Sequence, residues 1–173
     1  MERKTHMKAL ILAADGVEDS ELLYPYYRLQ EEGADVHIAG PCACKMTGKH
    51  GYEIEADMTF SNASAADYDL LILPGGKAPE TVRLDENAVA ITKEMFEAGK
   101  IVGAICHGAQ TLISADVLDG KNATCWPGIR DDVKAAGANY SDQEVVVDGN
   151  LITSRCPDDL PAFCRAILEA ANR

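Results

Sequence analysis

Short unbroken apolar runs alternate with stretches of helical period along nearly the whole chain. Residues 8–14 (KALILAA) form the first run, and a continuous apolar stretch of strand length marks a strand buried on both faces. Asp15-Gly16 then signals a turn. Over residues 19–32, Leu22, Leu23, Tyr26, Tyr27 and Leu29 recur at helical spacing and Gly33 follows as a stop. A helix is expected there, with Pro25 in its first turns or kinking it. Strands are expected at 36–39, ending at Gly40-Pro41, and at 68–73, ending at Pro74-Gly75-Gly76. Between them residues 51–56 alternate with a period of two, which fits a small exposed hairpin or an edge strand. The later chain predicts a helix at 88–98, a buried strand at Ile101–Ile105, a helix at 109–115, a weak strand at 122–125 and a short helix at 131–136. A hairpin of 144–147 with Leu151–Ser154, turned at Asp148-Gly149, and a closing helix at Leu160–Ala171 complete it.

Strand and helix alternating through short joins imply parallel strands with right-handed crossovers, hence a doubly wound α/β sandwich. In such a fold ligands sit beyond the carboxyl ends of the strands, so the segments after residues 14, 73 and 105 are the ones to search. The length of 173 residues suits one domain. We take it as 7–173, preceded by a short lead at 1–6 that is native or introduced. A composition of 47% hydrophobic and 25% charged residues is that of an ordinary globular protein. Sixteen Lys and Arg against 28 Asp and Glu give a net charge of −12, which repels nucleic acid and anionic lipid alike. No apolar run has the length of a membrane span, and the start lacks the apolar core of a signal peptide, so the expected compartment is the cytoplasm.

Cys42, Cys44, Cys106, Cys125, Cys156 and Cys164 are read as free thiols, because a chain of this length closes a core unaided and carries no export signal. Cys42 and Cys44 form a C-x-C, neither the C-x-x-C redox spacing nor half of a zinc pattern, so no metal and no cofactor is expected. Cys106 stands apart. It follows the Ile101–Ile105 strand directly, and Ala104-Ile105-Cys106-His107-Gly108 keeps the small-x-nucleophile-x-small spacing of a strained strand-to-helix elbow. A thiol at a helix N-terminus feels the dipole and free amides, which favour thiolate. Against this stands the usual fate of a free cysteine, a small buried hydrophobe.

His107 is the candidate acid and base, although adjacent residues on a strained turn can point apart. His37 reads as a satisfied core residue and His50 as part of a polar loop. After the first strand, Glu18 and Glu21 lie three apart on one side of a nascent helix. Acidic residues there commonly complement the dipole, as is expected of Glu18 and Asp19. If Glu21 or Glu18 faces the elbow, a protonated carboxyl there can donate to the thiolate. The run Pro74-Gly75-Gly76-Lys77 lacks the spacing of a phosphate loop. The Gly75 and Gly76 amides are candidate oxyanion donors.

The ordered set Asp15-Gly16-Val17-Glu18-Asp19-Ser20-Glu21, Tyr24-Pro25, Leu73-Pro74-Gly75-Gly76-Lys77-Ala78-Pro79-Glu80 and Ala104-Ile105-Cys106-His107-Gly108 resembles the ThiJ/PfpI superfamily. Trp126-Pro127-Gly128-Ile129-Arg130-Asp131-Asp132, the 142–148 run and Ser154-Arg155-Cys156-Pro157-Asp158-Asp159-Leu160 are similar to its PfpI branch of intracellular peptidases and deglycases. The resemblance implies a flavodoxin-like sandwich, a nucleophile at Cys106 with His107 beside it, Glu21 hydrogen-bonded to the thiol, and Glu18 in the same pocket. It further implies that Glu80 of a neighbouring subunit orients the histidine, in a dimer or hexamer whose site crosses the interface. Trp126 stands where tyrosine is common and alters a pocket wall; Ala109 stands where proline is frequent.

Three activities follow, in order of preference. The first is a hydrolase-type enzyme acting on a reactive carbonyl or its adducts with thiols and amines, of glyoxalase or deglycase kind. The second is a cysteine peptidase using Cys106, His107 and Glu80. The third is a redox sensor or stress chaperone working through oxidation of Cys106.

Overall fold

The computed structural model describes residues 6–173. Residues 1–5, most of the expected lead, lie outside the described part. In chain order the elements are β1 (Lys8–Leu12), α1 (Asp19–Glu31), β2 (Asp35–Gly40), β3 (Lys45–Thr47), β4 (Glu53–Glu55), β5 (Met58–Thr59), β6 (Leu70–Leu73), α2 (Ala78–Val82), α3 (Glu86–Glu97), β7 (Ile101–Ile105), α4 (Ala109–Ser114), β8 (Asn122–Ala123), α5 (Arg130–Ala135), β9 (Asn139–Tyr140), β10 (Val146–Asp148), β11 (Leu151–Ser154) and α6 (Leu160–Ala171).

The main sheet has seven strands in the order β10-β11-β7-β6-β1-β2-β5. All its pairings are parallel except β10 with β11. Helices α1 and α6 cover one face and α2 to α5 the other, the doubly wound, mostly parallel sandwich expected from the alternating pattern. The unbroken apolar runs are the middle strands: Leu10, Ile11 and Leu12 of β1 and every residue of β6 are at most 1% exposed. Burying each such side chain contributes roughly 1.5–3 kcal/mol. Gly103 lets α6 settle directly on β7, since a Cβ there would meet Phe163 and Ile167 at 3.0 Å.

Pro25 lies inside α1 without ending it. Its missing N–H takes the donor from the Glu21 carbonyl and leaves the rest of the helix intact. The alternating 51–56 run supplies β4, which pairs antiparallel with β3 in a separate two-stranded ribbon. The weak strand at 122–125 shortens to β8 and pairs with β9, which sequence pattern did not reveal. Helix α2 is likewise absent from the sequence pattern, because five residues carry too little periodicity to register.

One expectation is corrected. The bend between β2 and β3 brings the Cα atoms of Cys42 and Cys44 to 5.2 Å and the two form a disulfide, in place of the two free thiols expected from the sequence. Cys106, Cys125, Cys156 and Cys164 are free. Among the described residues no helix is long and apolar enough to cross a membrane.

Candidate active site

The chain runs from β1 out to β2 and then crosses back to β6 on the other side of β1, so a crevice opens at the carboxyl ends of β1, β6 and β7. Two of the loops there are stitched together. Val17 and Gly76 form an antiparallel bridge, with Glu18 N–H donating to the Gly75 carbonyl at 3.2 Å and Lys77 N–H to that of Gly16 at 2.9 Å. The third loop starts with Cys106 at φ +61°, in the left-handed region. For a side chain with a Cβ this conformation costs about 1–2 kcal/mol, and the surroundings hold it. Trp126 N–H donates to the Cys106 carbonyl at 3.2 Å. Gly108 lets the start of α4 pass against β6, since a Cβ there would collide with the Leu73 carbonyl oxygen.

The elbow sits at the floor of a cavity of about 800 Å³. Its walls include Glu18, Lys49, Lys77, Glu80, Trp126 and Pro157. Cys106 Sγ lies 3.3 Å from His107 Nδ1, so adjacency in sequence here is also contact. Burial holds the His107 imidazole below the usual histidine pKa, while the Glu80 charge pulls upward and Lys49 downward. A neutral ring can accept the thiol proton. Its face lies 6.2 Å, centroid to centroid, from the Trp126 ring with 28° between planes, a stacked arrangement.

Glu21, in the first turn of α1, is fully buried. Its Oε1 accepts from Gly75 N–H at 2.9 Å, and its Oε2 is buried without a hydrogen-bond partner. Burial pushes its pKa up to about 8, the Gly75 amide pulls down, and the Glu18 charge adds to the rise. Glu21 is therefore a protonated carboxyl at neutral pH. Burial likewise pushes the Cys106 thiol up to about 12, with the Glu21 charge adding to the rise and the His107 and Gly76 amides opposing it. The helix-terminus effect expected from the sequence is outweighed by burial in the resting site. When Glu21 holds the proton its charge vanishes, and the sulfur keeps two opposing amides.

The Gly75 amide, expected as an oxyanion donor, is already committed to Glu21. Gly76, which makes the left-handed turn at φ +74°, is the one of the two whose N–H faces the sulfur. A Cβ at Gly75 would sit 2.6 Å from Glu21 Oε1 and 2.9 Å from Cys106 Cβ. Only glycine fits between carboxyl and thiol.

Glu18 lies on the cavity wall, where its carboxylate meets His50 Nε2 at 3.2 Å and Lys49 Nζ at 3.7 Å. Asp19 does more than complement the helix dipole. Its buried carboxylate accepts from the backbone N–H of His50 at 2.8 Å and of Tyr52 at 3.1 Å. Burial works to raise its pKa, and those amides outweigh burial, so it lies below the usual carboxylate value. Glu18, Asp19 and His50 offer ligand atoms within 4.8 Å of one another, but both Asp19 oxygens are taken by amides. Lys49 and the Asp19 anchor escaped sequence reasoning because they meet the site through the β3–β4 turn, which no local spacing ties to Cys106. Glu80 lines the same cavity and is exposed, with no hydrogen bond to His107 among the described residues.

Residues 7–170 match the DJ-1/PfpI family. The chain belongs to the DJ-1/PfpI family. This DJ-1/PfpI chain is 56% identical over 163 residues to a deglycase of Thermococcus kodakarensis, an alignment covering 94% of the chain and 98% of that relative. It is 52% identical over 163 residues to the deglycase PfpI of Pyrococcus furiosus, with the same coverage of 94% and 98%. Among solved structures, a two-domain protein of Anabaena variabilis with DJ-1/ThiJ/PfpI-like and ferritin-like domains superposes with a TM-score of 0.94 at 43% identity. That superposition covers 96% of the present chain and 48% of the other, so this chain spans about half the length of the two-domain protein.

Proposed function

We propose that the chain is a cysteine-dependent hydrolase-type enzyme that removes reactive-carbonyl adducts, a deglycase with glyoxalase chemistry. One observation carries the reading: Cys106 is held in a left-handed elbow at the floor of the cavity, with His107 Nδ1 3.3 Å from its sulfur and a protonated Glu21 beside it. The deglycase names of relatives more than half identical to it support the same reading. A cavity of about 800 Å³ is also of small-molecule size, for which roughly 300–1,000 Å³ is usual.

The chemistry starts from methylglyoxal bound to an amine as an aminocarbinol. His107 takes the thiol proton, the sulfur bonds to C1, and the C–N bond breaks as the amine leaves with a proton. The product is a hemithioacetal on Cys106. Moving the C1 proton to C2, with Glu21 and His107 as carriers, converts it to a lactoyl thioester without net oxidation. Water then hydrolyses the thioester, freeing lactate and the thiol. With free methylglyoxal the sulfur adds directly to the aldehyde and the later steps are the same. In the assembled protein Glu80 of a second copy orients His107, and the active unit is an oligomer.

The His107 and Gly76 amides facing the sulfur also favour a second reading, amide hydrolysis through an oxyanion hole. Lactate from methylglyoxal, free amine from methylglyoxal-treated acetyl-lysine and cleavage of a fluorogenic peptide separate the two. Lactate and amine release by wild type, both absent in Cys106→Ser, are the expected outcome. Peptide cleavage that depends on Cys106, without lactate, would transfer the site to the peptidase reading.

A further inference from the structure

The Cys42–Cys44 disulfide lies outside the Cys106 cavity and takes no part in the chemistry above. It closes the bend before β3, where Cys42 is exposed and Cys44 half-buried. External thiols can reach it, whereas Cys125 and Cys164 are buried. The pair sits at the base of the β3–β4 ribbon, where the Cys44 carbonyl accepts from Ala56 N–H at 3.0 Å. The ribbon is separate from the main sheet and only three residue pairs long. A two-stranded ribbon of this kind has little stability of its own, so the constraints at its two ends matter. At the far end Thr47, Gly48 and Lys49 line the cavity, tied down by Asp15 and Asp19. The disulfide ties the near end.

We propose that Cys42–Cys44 is an exchange site for low-molecular-weight thiols of the glutathione class, and that its redox state sets how firmly the β3–β4 ribbon is held beside the cavity. In the reducing direction an external thiolate attacks the exposed Cys42 sulfur. A mixed disulfide forms there, the bond to Cys44 breaks, and Cys44 leaves as a thiolate that takes a proton. A second external thiolate attacks the external sulfur of the mixed disulfide and releases Cys42. Two external thiols are oxidised to one disulfide, and the pair gains two electrons and two protons. In a thiol-rich compartment the pair rests as a dithiol and closes under oxidising conditions. The inference concerns a device beside the cavity and does not rest on the carbonyl chemistry assigned to Cys106.

The test uses the full chain carrying Cys106→Ser, so that no signal comes from the active-site thiol. The protein is equilibrated in mixtures of reduced and oxidised glutathione, quenched, alkylated and peptide-mapped. The expected result is concerted change: Cys42 and Cys44 both alkylated in reducing mixtures and both protected in oxidising ones, a mass shift of two alkyl groups on one peptide. Alkylation of both in every mixture, or a stable glutathione adduct on one of them, would overturn the exchange site. Amide hydrogen exchange across residues 45–55 reads the second half. It should quicken on reduction and equally in a Cys42→Ser, Cys44→Ser chain; unchanged exchange would overturn the coupling to the ribbon.

Discussion

Ionising a carboxyl sealed from water is costly, so Glu21 keeps its proton beside Cys106, and the fold gives up stability as pH rises because the unfolded chain releases that proton more readily. Its folded pKa is raised from 4.5 to about 8, so the native state binds the proton more tightly than the unfolded chain does. The contribution is fully present below the unfolded value and is lost as pH rises from about 4.5 towards 8. The loss is at most about 5 kcal/mol at 1.36 kcal/mol per pKa unit. Glu21→Gln keeps the acceptor for the Gly75 amide and removes the titration. Urea unfolding at about pH 5 and about pH 8 should therefore show wild type losing stability relative to the variant; parallel curves would contradict the buried, protonated carboxyl. At this scale the sequence was informative about Cys106 and His107, which follow a strand end directly, and about the two glutamates, which lie at the start of the helix after the first strand. Spacing alone left open which glutamate faces the elbow, since a separation of three residues places both on one side of a helix, and it was the family resemblance that pointed to Glu21. It also could not show that Gly75 spends its amide on Glu21, because that bond joins residues 54 positions apart.

The elements matter chiefly for what they aim. Strands β1, β6 and β7 were legible because parallel central strands are apolar from end to end, and their neighbouring carboxyl ends placed the site. The short pieces were not legible: α2, β5 and β9 have five residues or fewer, and tertiary contacts rather than pattern hold them. The β3–β4 ribbon brings Lys49 to the cavity, and Asp19 is what anchors its turn. Asp19→Ala leaves the His50 and Tyr52 amides without their acceptor, which should cost on the order of 2 kcal/mol in thermal or urea unfolding. With the ribbon loosened, KM should rise more than kcat falls, because Cys106, His107 and Glu21 are carried by other elements. A fall in kcat alone would show that the ribbon does not shape the binding wall.

For the whole molecule, length and composition point to one domain. Among the described residues no carboxylate hydrogen-bonds His107, although Glu80 lines the same cavity; under the proposed function Glu80 of a second copy takes that role. Glu80→Gln should leave unfolding and subunit association nearly unchanged while lowering kcat roughly 10- to 100-fold, the usual effect of losing a group that orients a catalytic one. Full activity in that variant would separate the oligomer from the chemistry.

The central claim, that Cys106 bonds covalently to the carbonyl carbon, is tested most directly by acid-quenching the protein during turnover of methylglyoxal and mapping the modified peptides by mass. The account predicts one lactoyl-sized addition on the peptide carrying Cys106, disappearing as substrate is exhausted and absent from Cys106→Ser. Lactate production with Cys106 unmodified throughout, or undiminished in Cys106→Ser, would contradict it.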